Sequence, residues 1–247
     1  MAKTINIRFY EELNDFLPEN KRKVTFKQSL FTGQTVKDIV EALGVPHTEI
    51  DLILVNGTSV TFNYKPANGD NISVYPVFES FDISNVTHLR PKPLRDTKFI
   101  ADAHLGKLAR NLRMYGFDTQ YENSFSDSEI IRISSGEKRI ILTRDKGILK
   151  TGRVTHGYFV RSENPDEQLS EVISYFQLSG KIKPLVRCLE CNGIIEKVKK
   201  QEIIHLLEPK TEKYFNEFYR CSVCKKVYWK GSHYDKMMSK MKNLTGF

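Results

Sequence analysis

The sequence predicts a three-part chain whose central part is an α/β domain with a mostly parallel sheet. Strand-like runs surround one amphipathic helix in residues 1–81. Short apolar strands then alternate with helices in residues 98–183, which favours parallel strands joined by right-handed crossovers. All 4 cysteines lie beyond that segment, in residues 184–247. Residues 82–97 contain Pro91 and Pro93 and have no clear periodicity, so we expect a linker there.

The composition is that of an ordinary globular protein, with 40% hydrophobic and 28% charged residues. No apolar run is long enough to span a membrane, and the first residues lack the apolar stretch of a secretory signal. We therefore expect a cytoplasmic protein without membrane contact. The net charge of +8 is uneven, because residues 181–247 carry 15 Lys and Arg against 7 Asp and Glu. Such an excess favours a nucleic-acid partner, and a solvated Lys-rich surface is the simpler alternative.

The order of elements in residues 1–81 predicts a β-grasp, ubiquitin-like domain. The strings KTINIRF and KVTFK alternate like strands. Thr35 then opens an amphipathic helix, VKDIVEALG, which Gly44 ends. IDLILVNG, a short run around Val60 to Phe62, and ISVYPVF predict two or three further strands.

The strings VKDIVEALGVPHTEIDLILVNGTSV and NGDNISVYPVF resemble the thiamine and molybdopterin sulfur-carrier proteins. In that family the last strand runs into a free C-terminal Gly-Gly. Here the strand continues from Phe78 into Glu79, Ser80 and Phe81 without a Gly-Gly. The resemblance therefore implies the fold and not the sulfur-carrier or modifier chemistry. Because this part is acidic overall, we expect it to contact a protein partner rather than a nucleic acid.

Residues 98–183 alternate between strands and helices. KFIA predicts a strand, followed by a helix over 104–115 that Gly116 ends. FDTQY predicts a second strand, and Ser126 and Glu129 form a capping-box pair that opens the next helix. RIILT, a short helix over 145–150, VTHGYFV and a closing helix in NPDEQLSEVISYFQLSG follow.

Three carboxylates lie near the C-terminal ends of these predicted strands. Asp102 follows KFIA, Asp127 follows FDTQY and a short loop, and Asp145 follows RIILT. The ends of parallel strands share one edge of a sheet, so the three carboxylates can converge there. A cluster of oxygen ligands favours Mg²⁺ or Mn²⁺, which can activate water and stabilise charge on a phosphate. For each residue alone, a helix N-cap is the competing interpretation.

Lys107, Arg110 and Arg113 recur every three residues beside the apolar face of the first helix in this segment. This stripe begins near Asp102 and can hold phosphates. A solvated helix face is the alternative.

The cysteines form two C-x-x-C pairs, Cys188 with Cys191 and Cys221 with Cys224. Two such pairs supply the tetrahedral sulfur set that zinc prefers, and four sulfur ligands leave no open position for catalysis. We therefore predict a structural zinc site, with disulfides as the alternative. The long spacer between the pairs predicts an inserted element around KKQEIIHLL.

Aromatic and basic residues are interleaved around the second cysteine pair. The aromatic residues are Tyr219, Tyr228, Trp229 and Tyr234, and the basic residues are Arg220, Lys225, Lys226, Lys230 and Lys236. Such a surface can hold a phosphate backbone and stack bases. The alternative is that the aromatic rings form the small core of the zinc-binding domain, and we expect some of them to do each.

Four strings resemble the Mut-seven C-terminal RNase family of PIN-like nucleases: FIADAHLGKLARNLRMYGFDT, IILTRDKGIL, PLVRCLECNG and FYRCSVCKKVYWKGSHYDKM. That family joins a PIN-like nuclease domain to a zinc ribbon, and some members carry an N-terminal ubiquitin-like domain. The resemblance covers essentially the whole chain and implies a metal-dependent ribonuclease. By position it implies that Asp102, Asp127 and Asp145 are the acidic site residues, with Glu129 a less certain fourth because the capping box gives it another role.

The function expected from these features is hydrolysis of RNA with Mg²⁺ or Mn²⁺ held by the three aspartates. Arg144 and the stripe Lys107, Arg110 and Arg113 would stabilise charge on the phosphate, while Trp229 and Lys230 of the zinc ribbon would bind RNA. The alternative is a non-catalytic RNA-binding protein associated with ribosomal or transfer RNA. The RNA substrate and the oligomeric state are left open by the sequence.

Overall fold

The computed structural model describes residues 3–76, 89 and 97–245, without the side chains of residues 233 and 240–245. Nearly all of the predicted linker, 82–97, and the predicted end of the last N-terminal strand lie outside the described residues. The chain divides into two compact units. One unit contains residues 1–96 and 126–159, and the other contains residues 97–125 and 160–247. The central α/β segment, 98–183, is therefore shared between the two units.

The N-terminal domain is a five-stranded sheet with one packed helix. Its elements are β1 (Thr4–Phe9), β2 (Phe26–Ser29), α1 (Val36–Ala42), β3 (Ile50–Val55), β4 (Thr58–Ser59) and β5 (Asn71–Pro76). The strand order is β2-β1-β5-β3-β4, with β1 and β5 parallel and the other pairs antiparallel. This topology confirms the predicted β-grasp fold. The run around Val60 to Phe62 is not a strand, because the short strand β4 ends at Ser59.

The core of this domain follows from the alternation in β1 and the helical period in α1. Ile5, Ile7 and Phe9 point inward from β1 at 0–1% exposure, and Val36 and Val40 of α1 are fully buried. The Thr35 hydroxyl accepts from the Asp38 amide while the Asp38 carboxylate accepts from the Thr35 amide, which closes a capping box at the start of α1. Gly44 ends the helical region with φ +101°, a conformation that favours glycine.

The α/β segment alternates as predicted, although several of its elements are short. They are β6 (Phe99–Ala101), α2 (Gly106–Met114), β7 (Thr119–Gln120), α3 (Asp127–Glu137), β8 (Ile140–Thr143), α4 (Lys146–Lys150), β9 (Gly157–Phe159) and α5 (Pro165–Tyr175). In one unit β6 pairs with β7, in the other β8 pairs with β9, and both pairs are parallel. All residues of β6 and β8 are buried, as expected for strands of a covered parallel sheet.

The C-terminal part is a ribbon with a helical insertion. Its elements are β10 (Ile195–Val198), α6 (Lys200–Ile203), α7 (Pro209–Tyr214), β11 (Phe218–Cys221), β12 (Val227–Trp229) and α8 (Ser232–Thr245). The three strands are antiparallel in the order β10-β11-β12. The insertion predicted around KKQEIIHLL is α6 and α7, between β10 and β11. No helix in the described parts of the chain is long and apolar enough to cross a membrane.

Candidate functional site

The four cysteine sulfurs converge at one end of the ribbon. All four Sγ atoms lie within 4.8 Å of one another, with 3.5 Å between Cys188 and Cys224 and 3.4 Å between Cys191 and Cys221. A tetrahedral zinc ion with Zn–S bonds of about 2.3 Å requires sulfurs roughly 3.8 Å apart. The four cysteines can therefore hold zinc, and all are free thiols rather than disulfides. Each of the four cysteines therefore offers one sulfur to a shared ion site.

The two C-x-x-C turns have matching backbone geometry. In the first, the Asn192 amide donates to the Cys188 carbonyl at 3.0 Å, and in the second the Lys225 amide donates to the Cys221 carbonyl at 3.2 Å. Asn192 and Lys225 have φ +64° and +63°. The residue after the second cysteine of each pair is thus in the left-handed region, and its amide closes the turn on the carbonyl of the first cysteine.

The electrostatics of the cluster favour a bound cation. Burial alone would raise the pKa of Cys188, but hydrogen bonds from the Cys191 amide and the Tyr228 hydroxyl lower it to about 6. Burial, together with the neighbouring sulfurs, raises the pKa of Cys224 to about 12. Four thiols this close cannot all ionise unless a positive charge lies among them. The donor set therefore fits zinc and its four thiolates.

Tyr228 supports the first cysteine of the cluster. Its hydroxyl oxygen lies 3.1 Å from the Cys188 sulfur and accepts from the Leu189 amide at 3.1 Å. Burial raises the pKa of Tyr228, so the hydroxyl stays protonated and donates a hydrogen bond to the Cys188 sulfur. This predicted aromatic residue thus contacts the metal ligands. A tyrosine close after a C-x-x-C pair is the only sequence signal of this role.

Arg113 anchors the ribbon to α2. Its side chain is 3% exposed, and it donates from Nε to the Thr119 carbonyl at 2.8 Å and from Nη1 to the Glu190 carbonyl at 2.6 Å. Longer bonds reach the carbonyls of Leu189 and Tyr121 at 3.2 and 3.3 Å. The sequence predicted Arg113 as the third member of a phosphate-binding stripe, but its side chain is buried in the fold and directed at the first C-x-x-C turn.

Asn192 makes the second link between the ribbon and the α/β segment. Its Oδ1 accepts from the Thr119 amide at 3.0 Å, and its Nδ2 donates to Asp118 at 2.7 Å. Asn192 is 4% exposed and follows Cys191 directly. Asn192 therefore joins the cysteine cluster directly to the edge of β7.

The other two members of the basic stripe are exposed. Arg110 donates to Glu190 at 2.7 Å, and Lys226 reaches the same carboxylate oxygen at 2.7 Å. These two hydrogen bonds lower the pKa of Glu190 to about 2. Lys107 lies one turn before Arg110 and is exposed. Of the three predicted residues, Lys107 and Arg110 thus remain accessible to a phosphate.

Asp102 lies directly after β6 and is 7% exposed. It is the N-cap of a 3-10 turn over Ala103–Leu105. Its Oδ1 accepts from the His104 amide at 3.1 Å and contacts His104 Nδ1 at 3.0 Å. The cap bond and the contact with His104 both use Oδ1 of Asp102.

Asp145 and Asp127 occupy similar positions in the other unit. Asp145 is the N-cap of α4, where its Oδ1 accepts from the Gly147 amide at 2.6 Å, and its own amide donates to the Thr143 hydroxyl at 2.9 Å. Asp127 is the first residue of α3 and is exposed. Because Asp102 belongs to a different unit from Asp127 and Asp145, the convergence of the three carboxylates stays a prediction.

Glu129 closes the capping box predicted at the start of α3. Its Oε2 accepts from the Ser126 amide at 2.9 Å and from the Ser126 hydroxyl at 2.8 Å. The backbone hydrogen bond holds the pKa of Glu129 below its usual value. The Glu129 carboxylate is therefore hydrogen-bonded in the helix cap, which is the other role that the sequence predicted for it.

The remaining predicted substrate contacts lie at three places. Arg144 is half-buried between Thr143 and Asp145. Trp229 is half-buried and packs at 6.4 Å against the ring of Phe215, so it belongs at least partly to the ribbon core. Lys230 is exposed, with its Nζ 3.6 Å from Glu217.

Two family models match parts of this chain. Residues 97–241 match the family model described as the Mut7-C RNAse domain, and residues 2–82 match the one described as Mut7-C ubiquitin. One solved structure, the small archaeal modifier protein 1 of H. volcanii, is 19% identical to this chain. The match covers 30% of this chain and 98% of that one, with a TM-score of 0.25. No curated protein sequence matches the chain. The matched residues span both ends of the chain, and the protein belongs to the Mut7-C RNAse domain family, with a Mut7-C ubiquitin domain at its N-terminus.

Proposed function

We propose that this protein is a ribonuclease that hydrolyses phosphodiester bonds of RNA with Mg²⁺ or Mn²⁺. The observation that carries the proposal is the repeated placement of an aspartate at the end of a buried parallel strand. Asp102 is the first residue after β6, and Asp145 is the second residue after β8. Each aspartate caps the helical turn that follows it. Ligands of α/β proteins bind at such strand ends.

The acidic residues would hold the ion, and the nearby cations would act on the phosphate. Asp102, Asp127 and Asp145 supply the carboxylate oxygens that Mg²⁺ and Mn²⁺ prefer. A bound divalent ion lowers the pKa of water and offsets charge on the phosphate. Lys107 is exposed, and Arg144 precedes Asp145. Their positive charges would stabilise the negative charge that develops on the phosphate in the transition state.

The ribbon would contribute a structural zinc site and an RNA-binding surface. The four thiolates complete a tetrahedral zinc shell, so the zinc would stabilise the ribbon rather than catalyse the reaction. Lys230 would contact the RNA backbone, and the exposed part of Trp229 would contact a base. The basic excess of residues 181–247 supports this assignment.

Asparagine substitutions separate metal binding from helix capping, because asparagine is as good an N-cap as aspartate. We expect Asp102→Asn and Asp145→Asn to fold normally and to lose at least about a hundredfold in RNA cleavage with Mn²⁺. Asp166→Asn, in the first turn of α5, is the matched control and should cleave like the wild type. The measurement is cleavage of labelled total RNA with Mn²⁺, with Mg²⁺ and with EDTA.

The same assay tests the alternative function, a non-catalytic RNA-binding protein. That alternative draws support from the local role of Asp102 and Asp145 as helix caps and from the basic C-terminal part. No cleavage by any of the proteins, combined with retained RNA binding, would favour it. Equal cleavage by wild type and both asparagine variants would place the site elsewhere.

A further inference from the structure

We infer that the N-terminal domain positions Asp145 by clamping the chain that follows it, residues 146–159, and that metal binding and cleavage depend on this clamp. The inference rests on the proposed function. It concerns residues of a single unit, which contains both the β-grasp sheet and residues 126–159. We call the contacts of Phe16, Glu41, His47 and Glu49 with residues 146–159 the clamp.

Glu49 provides the most direct contact of the clamp. Its residue exposure is 1%, and its Oε1 accepts from the Phe159 amide at 2.6 Å. Phe159 is the last residue of β9 and lies opposite Thr143 in the parallel pair of β8 and β9. The Thr143 hydroxyl in turn accepts from the Asp145 amide. Three consecutive contacts thus connect Glu49 to the backbone of Asp145.

His47 and Lys150 connect the same domain to the middle of the clamped chain. The His47 ring lies between Glu41 and residue 154, with Nδ1 2.6 Å from Glu41 Oε1 and Nε2 2.8 Å from the Val154 carbonyl oxygen. Lys150, the last residue of α4, donates from Nζ to the Glu41 carbonyl at 2.8 Å. The far end of the helix that Asp145 caps is therefore fixed by the N-terminal domain.

Phe16 makes the contact closest in sequence to Asp145. Its ring is 5.4 Å from the ring of Phe159 in an edge-on arrangement, and Lys146 Nζ lies 5.0 Å and 5.4 Å from the two ring centres. A cation held against two rings loses much of its freedom. Because Lys146 is bonded directly to Asp145, this contact restricts the backbone that sets the direction of the carboxylate.

The clamp predicts a specific kinetic effect. Moving a catalytic group by about 1 Å can cost two orders of magnitude in rate. Loosening the clamp should therefore lower kcat and weaken Mn²⁺ binding at Asp145, whereas RNA affinity should change little because the basic ribbon lies in the other unit. If the N-terminal domain only added stability, loosening the clamp would lower the melting temperature. The kcat and the Mn²⁺ affinity would then be unchanged at temperatures where the protein is folded.

The test compares Glu49→Ala, Glu49→Gln and Val40→Ala in the full-length protein. Glu49→Ala removes the acceptor of the Phe159 amide, whereas Glu49→Gln keeps an amide oxygen that can accept. Val40 is fully buried in α1 and provides a matched loss of domain stability without a change in the clamp. The measurements are hydrogen exchange of the Phe159 amide, broadening of the Asp145 and Gly147 amide resonances by Mn²⁺, and kcat and KM for RNA.

For Glu49→Ala we expect at least about a tenfold loss of Phe159 protection, because the Phe159 amide loses its hydrogen bond to a charged acceptor. We also expect at least a tenfold loss in kcat, a higher Mn²⁺ concentration for half-maximal broadening, and a KM within about twofold of the wild type. Glu49→Gln should restore most of each property. Val40→Ala should unfold at lower temperature with kcat unchanged.

Three results would overturn the inference. In the first, Glu49→Ala loses Phe159 protection but keeps its kcat and Mn²⁺ titration. In the second, Val40→Ala lowers kcat as much as Glu49→Ala does. In the third, Mn²⁺ does not broaden the Asp145 resonance of the wild type. A wild type that binds Mn²⁺ at Asp145 but cleaves no RNA would instead refute the proposed function, and the Mn²⁺ titrations of the three variants would still test the clamp.

Discussion

The two parts of the α/β segment are each stabilised by a different companion. Residues 126–159 pack with the N-terminal domain, where the Glu49 carboxylate accepts from a strand amide. Residues 97–125 pack with the ribbon, where the Arg113 guanidinium donates to the carbonyls of the first cysteine turn. The first companion has a large apolar core of its own, whereas the second has a small cluster around Cys188, Cys221 and Ile195. Loss of zinc from the ribbon should therefore lower the stability of residues 97–125 and leave that of residues 126–159 unchanged.

The largest expected effect comes from removing a sulfur ligand with Cys221→Ser. Structural zinc contributes on the order of 10 kcal/mol to small domains, so we expect the ribbon to lose most of its stability. Residues 97–125 should lose hydrogen-exchange protection together with the ribbon because Arg113 and Asn192 lose their partners, while residues 126–159 keep theirs. Ser222→Ala is the neighbouring control. Equal loss of protection in residues 126–159 would show that the two companions are not independent.

Arg113→Met should cost on the order of 2–3 kcal/mol, because buried carbonyls lose the donor that satisfies them. Arg110→Gln, on the same helix, breaks an ion pair whose side chains are 54% and 44% exposed, so it should cost less than about 1 kcal/mol. Urea unfolding of the two variants measures the difference. A similar loss of unfolding free energy in both variants would mean that the buried hydrogen bonds of Arg113 do not stabilise the fold more than an exposed ion pair does.

Phe16→Leu should cost about 1 kcal/mol and act in the other unit. The substitution keeps an apolar side chain at a position that is 7% exposed but removes the edge-on contact with Phe159. Hydrogen exchange should show faster opening of residues 146–159 with no change in the ribbon. Faster exchange in the ribbon would contradict the separation of the two companions.

Asp38→Asn should have the smallest effect, about 0.5 kcal/mol at pH 7. The Thr35 amide lowers the pKa of Asp38 below the ordinary value of 3.8. A carboxyl with a lowered pKa in the folded state contributes stability that is fully present above its unfolded value and lost as the pH falls below it. The difference between wild type and variant should therefore disappear as the pH falls below about 3.8. Thermal unfolding at pH 7 and pH 3 measures this difference in stability. A difference that persists at pH 3 would show that it does not come from the charge of Asp38.

The features that the sequence predicts well are those set by local spacing. The two C-x-x-C pairs place their sulfurs together through turns of a few residues, and the Ser126 to Glu129 spacing produces the expected capping box. The β-grasp order of elements is also confirmed, since alternation and helical period determine it locally.

The features that the sequence does not reveal depend on distant contacts. The spacing of three predicted Arg113 as part of a phosphate-binding stripe. Its burial follows instead from contacts with Leu189 and Glu190, which lie 76 and 77 positions further along the chain. The contact of Glu49 with Phe159 joins residues 110 positions apart. Glu49 ends a short 3-10 helix, and no local sequence pattern predicts its contact with a distant strand. The convergence of Asp102 with Asp127 and Asp145 depends on tertiary arrangement in the same way.

The caps formed by Asp102 and Asp145 have an evolutionary consequence under the proposed function. An aspartate codon becomes an asparagine codon by one nucleotide change, and asparagine satisfies the same helix end. Such a change would abolish the charge needed for a divalent ion while leaving the fold, the ribbon and its basic surface in place. If the proposed function holds, one mutational step would therefore convert a copy that cleaves RNA into one that only binds it, without an intermediate that misfolds.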